Sequence, residues 1–367
     1  MKGEPMKRAR VLVTAAAGKI GSAVATQLLE QGVPTRVMVR RTDSRSESLK
    51  AKGAEVVVGD MLDIRQIQAA LEGVDRLFLN PPYHPHVLYG SVAFAVAARR
   101  AEVKAVVTLS QWLASPDHPS LMTRSHWLTD ELFELMPDTA HVTVNPGFFA
   151  DNYMNLVPTA ANMGVLPFPT GGGLNAPPSN EDIARVAVGA LLDPQRHNGM
   201  VYRPTGPTVL SGQDIADAIG EALGRKVRHI DIPPKMFVKA VRAGAKELGY
   251  DEFLQSCLYH YHAETRLGTF VVGGPTTHVR DVAGVEPEDI LTIARRYTTG
   301  PECRRTVGNF VRVFANSLVG AVTPMPNFEK FERVQQHPKP ASPQFAGESD
   351  FWRIEHDPAA RKQSVQL

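Results

Sequence analysis

Arg10-Val11-Leu12-Val13-Thr14-Ala15-Ala16-Ala17-Gly18-Lys19-Ile20-Gly21 decides how this chain folds. An apolar run stops at a turn of small residues and passes straight into a helical pattern. Ile20, Val24 and Leu28 recur at helical spacing, and Gly32 closes the pattern. A turn without bulky side chains lets backbone N–H groups approach a phosphate, and the start of the helix adds the positive end of its dipole. Such an opening predicts a dinucleotide held between strand and helix. It does not name a reaction.

The same rhythm continues outward. Val11–Val13, Thr35–Val39, Glu55–Val58, Arg76–Leu79, Ala105–Leu109 and His141–Val144 read as buried strands. Helical patterns lie between them near Lys19–Gln31, Ser46–Ala51, Asp63–Glu72, Val87–Ala101 and Arg124–Met136. Strands alternating with helices predict an α/β fold, a doubly wound parallel (Rossmann) sheet whose strand C-termini line one edge. Residues 1–155 would form this domain, with 180–205 returning to it through a helix at Glu181–Leu192 and a strand at Gly199–Arg203. Residues 156–179, rich in Pro and Gly, and 206–300, mostly helical, would form a smaller substrate lobe. In it, Ser211 caps a helix that Gly224 ends.

Residues 301–367 read as a C-terminal extension. Val307, Phe310, Val311, Phe314 and Leu318 form an apolar stripe opposite Arg305, Asn309 and Arg312, and after Pro324 the tail reads as polar, Pro-rich and either extended or partly disordered. Packing on its own domain is the favoured fate of the stripe. A homodimer or protein partner through residues 301–323, or a lipid surface, is the alternative.

Composition narrows the function. In 367 residues, 40 basic and 38 acidic side chains leave a net charge of +2, which excludes the strongly basic footprint of a nucleic-acid binder. Two cysteines, Cys257 and Cys303, make neither a disulfide framework nor a metal motif, so no metal is expected. No apolar run reaches the ~18 residues of a membrane span. A cytoplasmic location and a small-molecule substrate are therefore expected.

Three segments carry a resemblance. Val13-Thr14-Ala15-Ala16-Ala17-Gly18-Lys19-Ile20-Gly21 resembles the V-T-G-A-T-G-x-x-G of NmrA-like proteins, a group of atypical short-chain dehydrogenases/reductases. Gly59-Asp60-Met61-Leu62-Asp63 resembles their G-D-x-x-D, and Val144-Asn145-Pro146-Gly147-Phe148-Phe149-Ala150-Asp151-Asn152 their L-R-P-x-x-F-x-x-N. The likeness runs over about residues 8–300. One departure lies in the turn itself: the family's first glycine is Ala15 here, where a positive φ would make a Cβ costly.

The resemblance implies a nicotinamide cofactor along Thr14, Ala15, Ala17, Gly18, Lys19, Ile20 and Gly21, with Asp60 and Met61 beside the adenine. Asn80 and Pro81 would pass its middle, and Ser110, Gly147 and Phe148 would lie near the nicotinamide. The second strand ends Val39-Arg40-Arg41, without the carboxylate that holds a ribose 2′-hydroxyl in NAD-preferring folds. Two guanidinium groups suit a 2′-phosphate instead, so NADP(H) is favoured over NAD(H). The alternative is a solvated basic loop in which Asp43 neutralises one arginine.

The usual Tyr-x-x-x-Lys proton relay has no place here. No tyrosine lies between Tyr89 and Tyr153, and no lysine between Lys104 and Lys226. Ser110, at the end of the fifth strand, and His126 are the catalytic candidates. Asp130 follows His126 by four residues, on the same helical face, and the spacing suggests that this acid orients the imidazole. Ser110 reads equally as a strand-end hydroxyl, and His126 as a packed histidine. Phe149, Tyr259 and His262 are candidate substrate contacts, with core or surface packing as the alternative for each. Tyr83-His84-Pro85-His86 reads as a surface loop or as a cover over the cofactor. These features predict an NADPH-dependent reductase of a small carbonyl, quinone or activated alkene. The competing expectation is a non-catalytic NAD(P)-sensing regulator acting through a protein partner; isomerase or lyase chemistry on the same scaffold stays open.

Overall fold

The computed structural model describes residues 9–357. Seven strands form one sheet: β1 Val11–Val13, β2 Thr35–Val39, β3 Glu55–Val58, β4 Arg76–Leu79, β5 Ala105–Leu109, β6 Ala140–Val144 and β8 Val201–Tyr202. Their order is β3-β2-β1-β4-β5-β6-β8, parallel throughout. The strand order reverses between β1 and β4, so the crevice at the ends of these strands is the natural ligand site of the sheet.

Side-chain alternation sorts the core into two layers. Val11, Val13, Val107 and Leu109 face α1 (Lys19–Glu30) and α8 (Asn180–Leu192), where Val24, Leu28, Ile183 and Ala187 complete one cluster. Leu12, Leu77, Leu79 and Val106 face the other way. They meet Ile67, Phe94 and Phe133 of α3 (Ile64–Leu71), α4 (Val87–Arg100) and α5 (Leu121–Glu134). Asp43 caps α2 (Ser44–Ala51), and Asp63, Ser120 and Ser179 cap α3, α5 and α8. The predicted strand at Gly199–Arg203 shortens to Val201–Tyr202, because only two residues stay in register with β6.

The second lobe holds α6 (Ala150–Met154), α7 (Val157–Met163), α10 (Gly212–Leu223), α11 (Pro234–Leu248) and α12 (Glu252–Arg266), with α9 (Pro194–His197) and α13 (His278–Ala283) at its junction with the sheet. A parallel pair, β7 (Val165–Pro167) with β9 (Arg228–Ile230), and α14 (Ile290–Tyr297) complete it. Its core gathers Phe148, Tyr153, Phe168, Ile215, Ile219 and Phe270.

The extension corrects two expectations. In α15 (Val307–Val322) the apolar stripe does not pack on the domain. Val313 and Gly320 are its buried residues, while Val307, Phe310, Val311, Phe314 and Leu318 are exposed. After Pro324 the tail is not simply extended. It forms α16 (Phe328–Val334) and α17 (Asp350–His356), and Trp352 is fully buried. Its anchors, Phe328, Ala346 and Trp352, are spaced too widely to give a periodic pattern. The Trp352 indole N–H donates to the Trp112 carbonyl at 2.8 Å, and the two rings meet edge to face. The buried Glu264 carboxylate accepts from Thr269 Oγ1 at 2.5 Å, from Ala346 N–H, and from His118 Nε2 at 3.1 Å. His118 Nδ1 accepts from Ser120 N–H, so Nε2 carries the proton of a neutral ring. Trp352→Ala is accordingly expected to cost about 3–5 kcal/mol, the range for emptying a large aromatic site; urea titration of the two proteins measures it.

Candidate functional site

The turn after β1 is tied to both neighbouring strands. Thr14 N–H donates to the Phe78 carbonyl at 3.1 Å and Ala16 N–H to that of Met38 at 3.4 Å. The buried Thr14 hydroxyl accepts from Asn80 N–H at 2.8 Å, so it fastens β1 to β4 and leaves only backbone for a ligand. Ala15 adopts a φ of +48°, in the left-handed region that its glycine counterpart would enter freely. Gly18 N–H closes the turn on the Ala15 carbonyl at 2.8 Å. A Cβ on Gly21 would stand 2.5 Å from that same oxygen, so α1 can start here only with glycine at this position.

Gly18 is the N-cap of α1 and offers no side-chain acceptor, and the first turn holds no acid. The first backbone bond of the helix runs from Ser22 N–H to Gly18 O. The N–H groups of Lys19, Ile20 and Gly21 thus have no acceptor within the helix. Ile20 turns into the core. The Lys19 ammonium reaches Asp151 of α6 at 2.7 Å, and Tyr297 donates to the same carboxylate at 2.5 Å. These donors, aimed at the switch point, are what an anionic pyrophosphate requires.

Arg40 and Arg41 are exposed at the end of β2. Asp43 does not neutralise either of them. Its carboxylate caps α2 and binds Arg45, at 2.5 Å to Nη2 and 3.1 Å to Nε, and this pairing holds it at about 2. Arg45 in turn donates to the Ala17 carbonyl at 3.0 Å, bracing the turn from α2. Asp60 is exposed after β3, and its Oδ1 accepts from Leu62 N–H at 2.9 Å; Met61 is half-buried and Pro81 buried beside the same edge. His84 feels the charges of both Asp60 and Arg40, so the loop from Tyr83 to His86 lies at this end of the crevice.

The end of β5 holds the most developed polar cluster, and it departs from the expected pairing. Asp130 does not orient His126. Its carboxylate accepts from Ser110 Oγ and, at 3.1 Å, from Thr108 Oγ1. Residues 108 and 110 share one sheet face, the face against α5, which is why both hydroxyls converge on this acid. Thr108 has one proton and gives it to Asp130, so the 3.0 Å contact with His141 is a donation from His141 Nε2–H. Burial keeps that ring neutral, with its pKa pushed down to about 4. Burial also pushes Asp130 up to about 7, opposed by its two hydroxyl bonds. His126 is buried and pushed down to about 4 by that burial, so at neutral pH it is a neutral ring rather than an acid.

Two further groups at the strand ends were not legible as site residues. Gln111 accepts from Thr123 through Oε1 at 3.0 Å, which leaves its buried Nε2 without a partner. Asn145, across from Ser110 in the β5–β6 register, has a buried Oδ1 without one. A donor and an acceptor thus stand unsatisfied on adjacent strands, a costly arrangement unless a ligand completes it.

Gly147 and Phe148 follow β6. Gly147 passes close under Phe270 and Arg203, and Phe148 enters the second lobe's aromatic core. Phe149 packs the other way, onto the sheet core. Helix α12 divides its polar aromatics. His262 is 1% exposed, boxed by Phe148, Phe168 and Phe237, pushed down to about 3 by burial, and without a partner on either ring nitrogen. Tyr261 stacks on Phe270 and interacts with Tyr83. Tyr259 instead meets Phe328 of the extension, so the structure does not bring it together with His262. The two lie three residues apart on α12, about 60° around the helix, so the split is set by their neighbours: Phe328 of α16 takes up Tyr259, and Phe237 of α11 closes over His262.

The model of the NmrA-like family matches residues 7–262. The chain belongs to the NmrA-like family. This NmrA-like protein is 34% identical to an NAD(P)H azoreductase of Xenophilus azovorans over 223 residues, 60% of this chain and 77% of that one. It is 29% identical to a (4-alkanoyl-5-oxo-2,5-dihydrofuran-3-yl)methyl phosphate reductase of Streptomyces griseus over 249 residues, 67% and 85% of the two chains. The solved NADPH-dependent quinone oxidoreductase of Escherichia coli, complexed with NADPH, superimposes with a TM-score of 0.66 at 21% identity. That match covers 78% of the NmrA-like chain and 99% of the oxidoreductase, a likeness of fold.

Proposed function

We propose that this NmrA-like protein is an NADPH-dependent reductase of a small conjugated acceptor: a carbonyl, a quinone or an activated alkene. The observation that carries the reading is one crevice with two complementary ends. At one end the uncapped α1 presents free N–H groups; at the other, Ser110 is hydrogen-bonded to an acid that titrates near neutrality. The bound cofactor supplies hydride. The turn from Thr14 to Gly21 would hold the pyrophosphate, with Lys19 at its rim, and Asp60 and Met61 would flank the adenine. Asn80 and Pro81 would pass the middle, and Gly147 and Phe148 the nicotinamide side. A carboxamide has both a donor and an acceptor, as Gln111 Nε2 and Asn145 Oδ1 require. Hydride addition to a conjugated acceptor leaves an anion on oxygen or carbon, or on nitrogen for an azo group. Ser110 would donate the proton and recover it from protonated Asp130, while the neutral His126 ring holds a hydroxyl. Phe149 and His262 remain candidates for the acceptor's side, and Tyr261 replaces Tyr259 among them. Names of similar proteins support the class, since azo, quinone and acyl-butenolide groups are all electron-poor conjugated systems.

The test is NADPH oxidation by the purified protein with quinones, enones and azo dyes. Acceptor-dependent loss of nicotinamide absorbance is expected; NADPH binding without turnover of any acceptor would favour the sensing role instead. The same assay addresses cofactor choice. Arg40→Ala with Arg41→Ala should weaken NADPH by about 1.5–3 kcal/mol for each lost charge-assisted contact and leave NADH nearly unchanged. Isothermal titration with both nucleotides measures this, and equal weakening would place the 2′-phosphate elsewhere.

A further inference from the structure

We propose that α15, together with the adjoining α11, is a docking surface for an anionic lipid bilayer. The apolar stripe of α15 is turned away from the protein. Val307 and Val322 are 81% exposed, Val311 56%, Leu318 53%, and Phe310 and Phe314 46% each, with the two phenyl rings stacked side by side. The helix is fastened through its opposite face: Gly320 sits against Ala240 of α11, Val313 is buried, and Lys239 donates to the Ala321 carbonyl. Water therefore meets a continuous apolar ridge on a helix that is rigidly held.

Charge decides the occupant. From Cys303 to Phe328 the chain carries Arg304, Arg305 and Arg312 and no acid, and from Ile232 to Lys246 it carries Lys235, Lys239, Arg242 and Lys246 and no acid. Among the described residues no carboxylate pairs with Arg304, Arg305 or Arg312; Arg312 donates only to Asn309. A second copy docked on this face through a twofold axis would set the same arginines against their own counterparts, with no acid to offset them. An anionic bilayer offers both complements at once, acyl chains for the ridge and headgroup phosphates for the cations of α11 and for the long arginine side chains that reach round from the polar face of α15. Sixteen residues span only about 24 Å along the axis, and no helix among the described residues is long and apolar enough to cross a membrane. The helix would lie in the interface, with the body of the protein above it.

Flotation of the full-length protein with vesicles tests this. Vesicles of phosphatidylcholine alone are compared with vesicles in which about a third of the lipid is phosphatidylglycerol, at low and at high salt. Binding at least tenfold stronger to the anionic vesicles, and reduced by salt, is expected. Phe310→Ser with Phe314→Ser and Leu318→Ser should lower it at least tenfold at an unchanged melting temperature, since all three are exposed. Arg304→Gln with Arg305→Gln and Arg312→Gln should erase the preference for anionic lipid while the ridge stays intact. The proposal is overturned if neither vesicle binds the protein, or if the serine variant binds as the parent does. It is equally overturned if velocity sedimentation shows a dimer that the serine variant dissociates, because the occupant is then a second copy.

Discussion

Gly21→Val is expected to raise the dissociation constant for NADPH at least about a hundredfold, a loss of about 2.7 kcal/mol, in a protein that still folds. The cause is local. A Cβ at residue 21 would lie 2.5 Å from the Ala15 carbonyl oxygen and 2.9 Å from its carbon, both backbone atoms. Neither can rotate aside, so α1 must withdraw from the turn. Withdrawal costs about 1–3 kcal/mol as overpacking, which a large sheet core absorbs, but it also moves the N–H groups of Lys19 to Gly21 that are proposed to hold the pyrophosphate. Ala15→Gly makes the opposite change. At a φ of +48° the alanine Cβ costs about 1–2 kcal/mol, and glycine gives back part of that through unfolded-chain entropy. A net gain of about 1 kcal/mol is expected, with NADPH affinity kept or improved. Fluorescence titration with NADPH and thermal melting separate the two effects. Unchanged affinity in Gly21→Val would mean that the cofactor does not sit on this turn.

The sheet was legible because each of its strands is a short apolar run closed by a helical pattern, and alternation within Val11-Leu12-Val13 already assigns two faces. The site was legible to the level of position only. Ser110 stands at a strand end in any reading of β5, but its partner depends on how α5 is rotated against the sheet. Helical spacing links Asp130 to His126, whereas the hydroxyls of Thr108 and Ser110 claim the acid from across the interface. Spacing along one element cannot register a contact between two. Arg45 escaped notice for the same reason, as its guanidinium leaves α2 to brace the Ala17 carbonyl. In the extension the failure was of another kind. Trp352 is a single anchor in a polar segment, and periodicity detects repeated apolar positions rather than one deep one.

Asp130→Asn should lower kcat about a hundredfold or more with an enone or azo acceptor, the low end of what a positioned acid contributes, and change KM little. A quinone should lose far less, because its reduced anion is already stabilised and needs no proton in the rate-limiting step. Ser110→Ala should reproduce this split, since in the proposed reaction the hydroxyl is the route from the acid to the acceptor. The pH dependence follows from Asp130 at about 7. Its protonated form refills Ser110, so kcat for the enone falls as pH rises through about 7 in the parent and loses that limb in Asp130→Asn. Stability gives an independent readout. The folded acid keeps its proton well above the ordinary carboxylate range, so between about pH 4 and pH 7 the folded state binds more protons than the unfolded one. Its contribution to stability is then lost as pH rises through about 7. Asp130→Asn removes this slope, and the variant's melting temperature should gain on the parent's from pH 5 to pH 8. If both proteins melt in parallel across that range, Asp130 is an ordinary ionised carboxylate. A kcat loss of equal size for quinone and enone would show instead that the substitution disturbs the crevice rather than proton delivery.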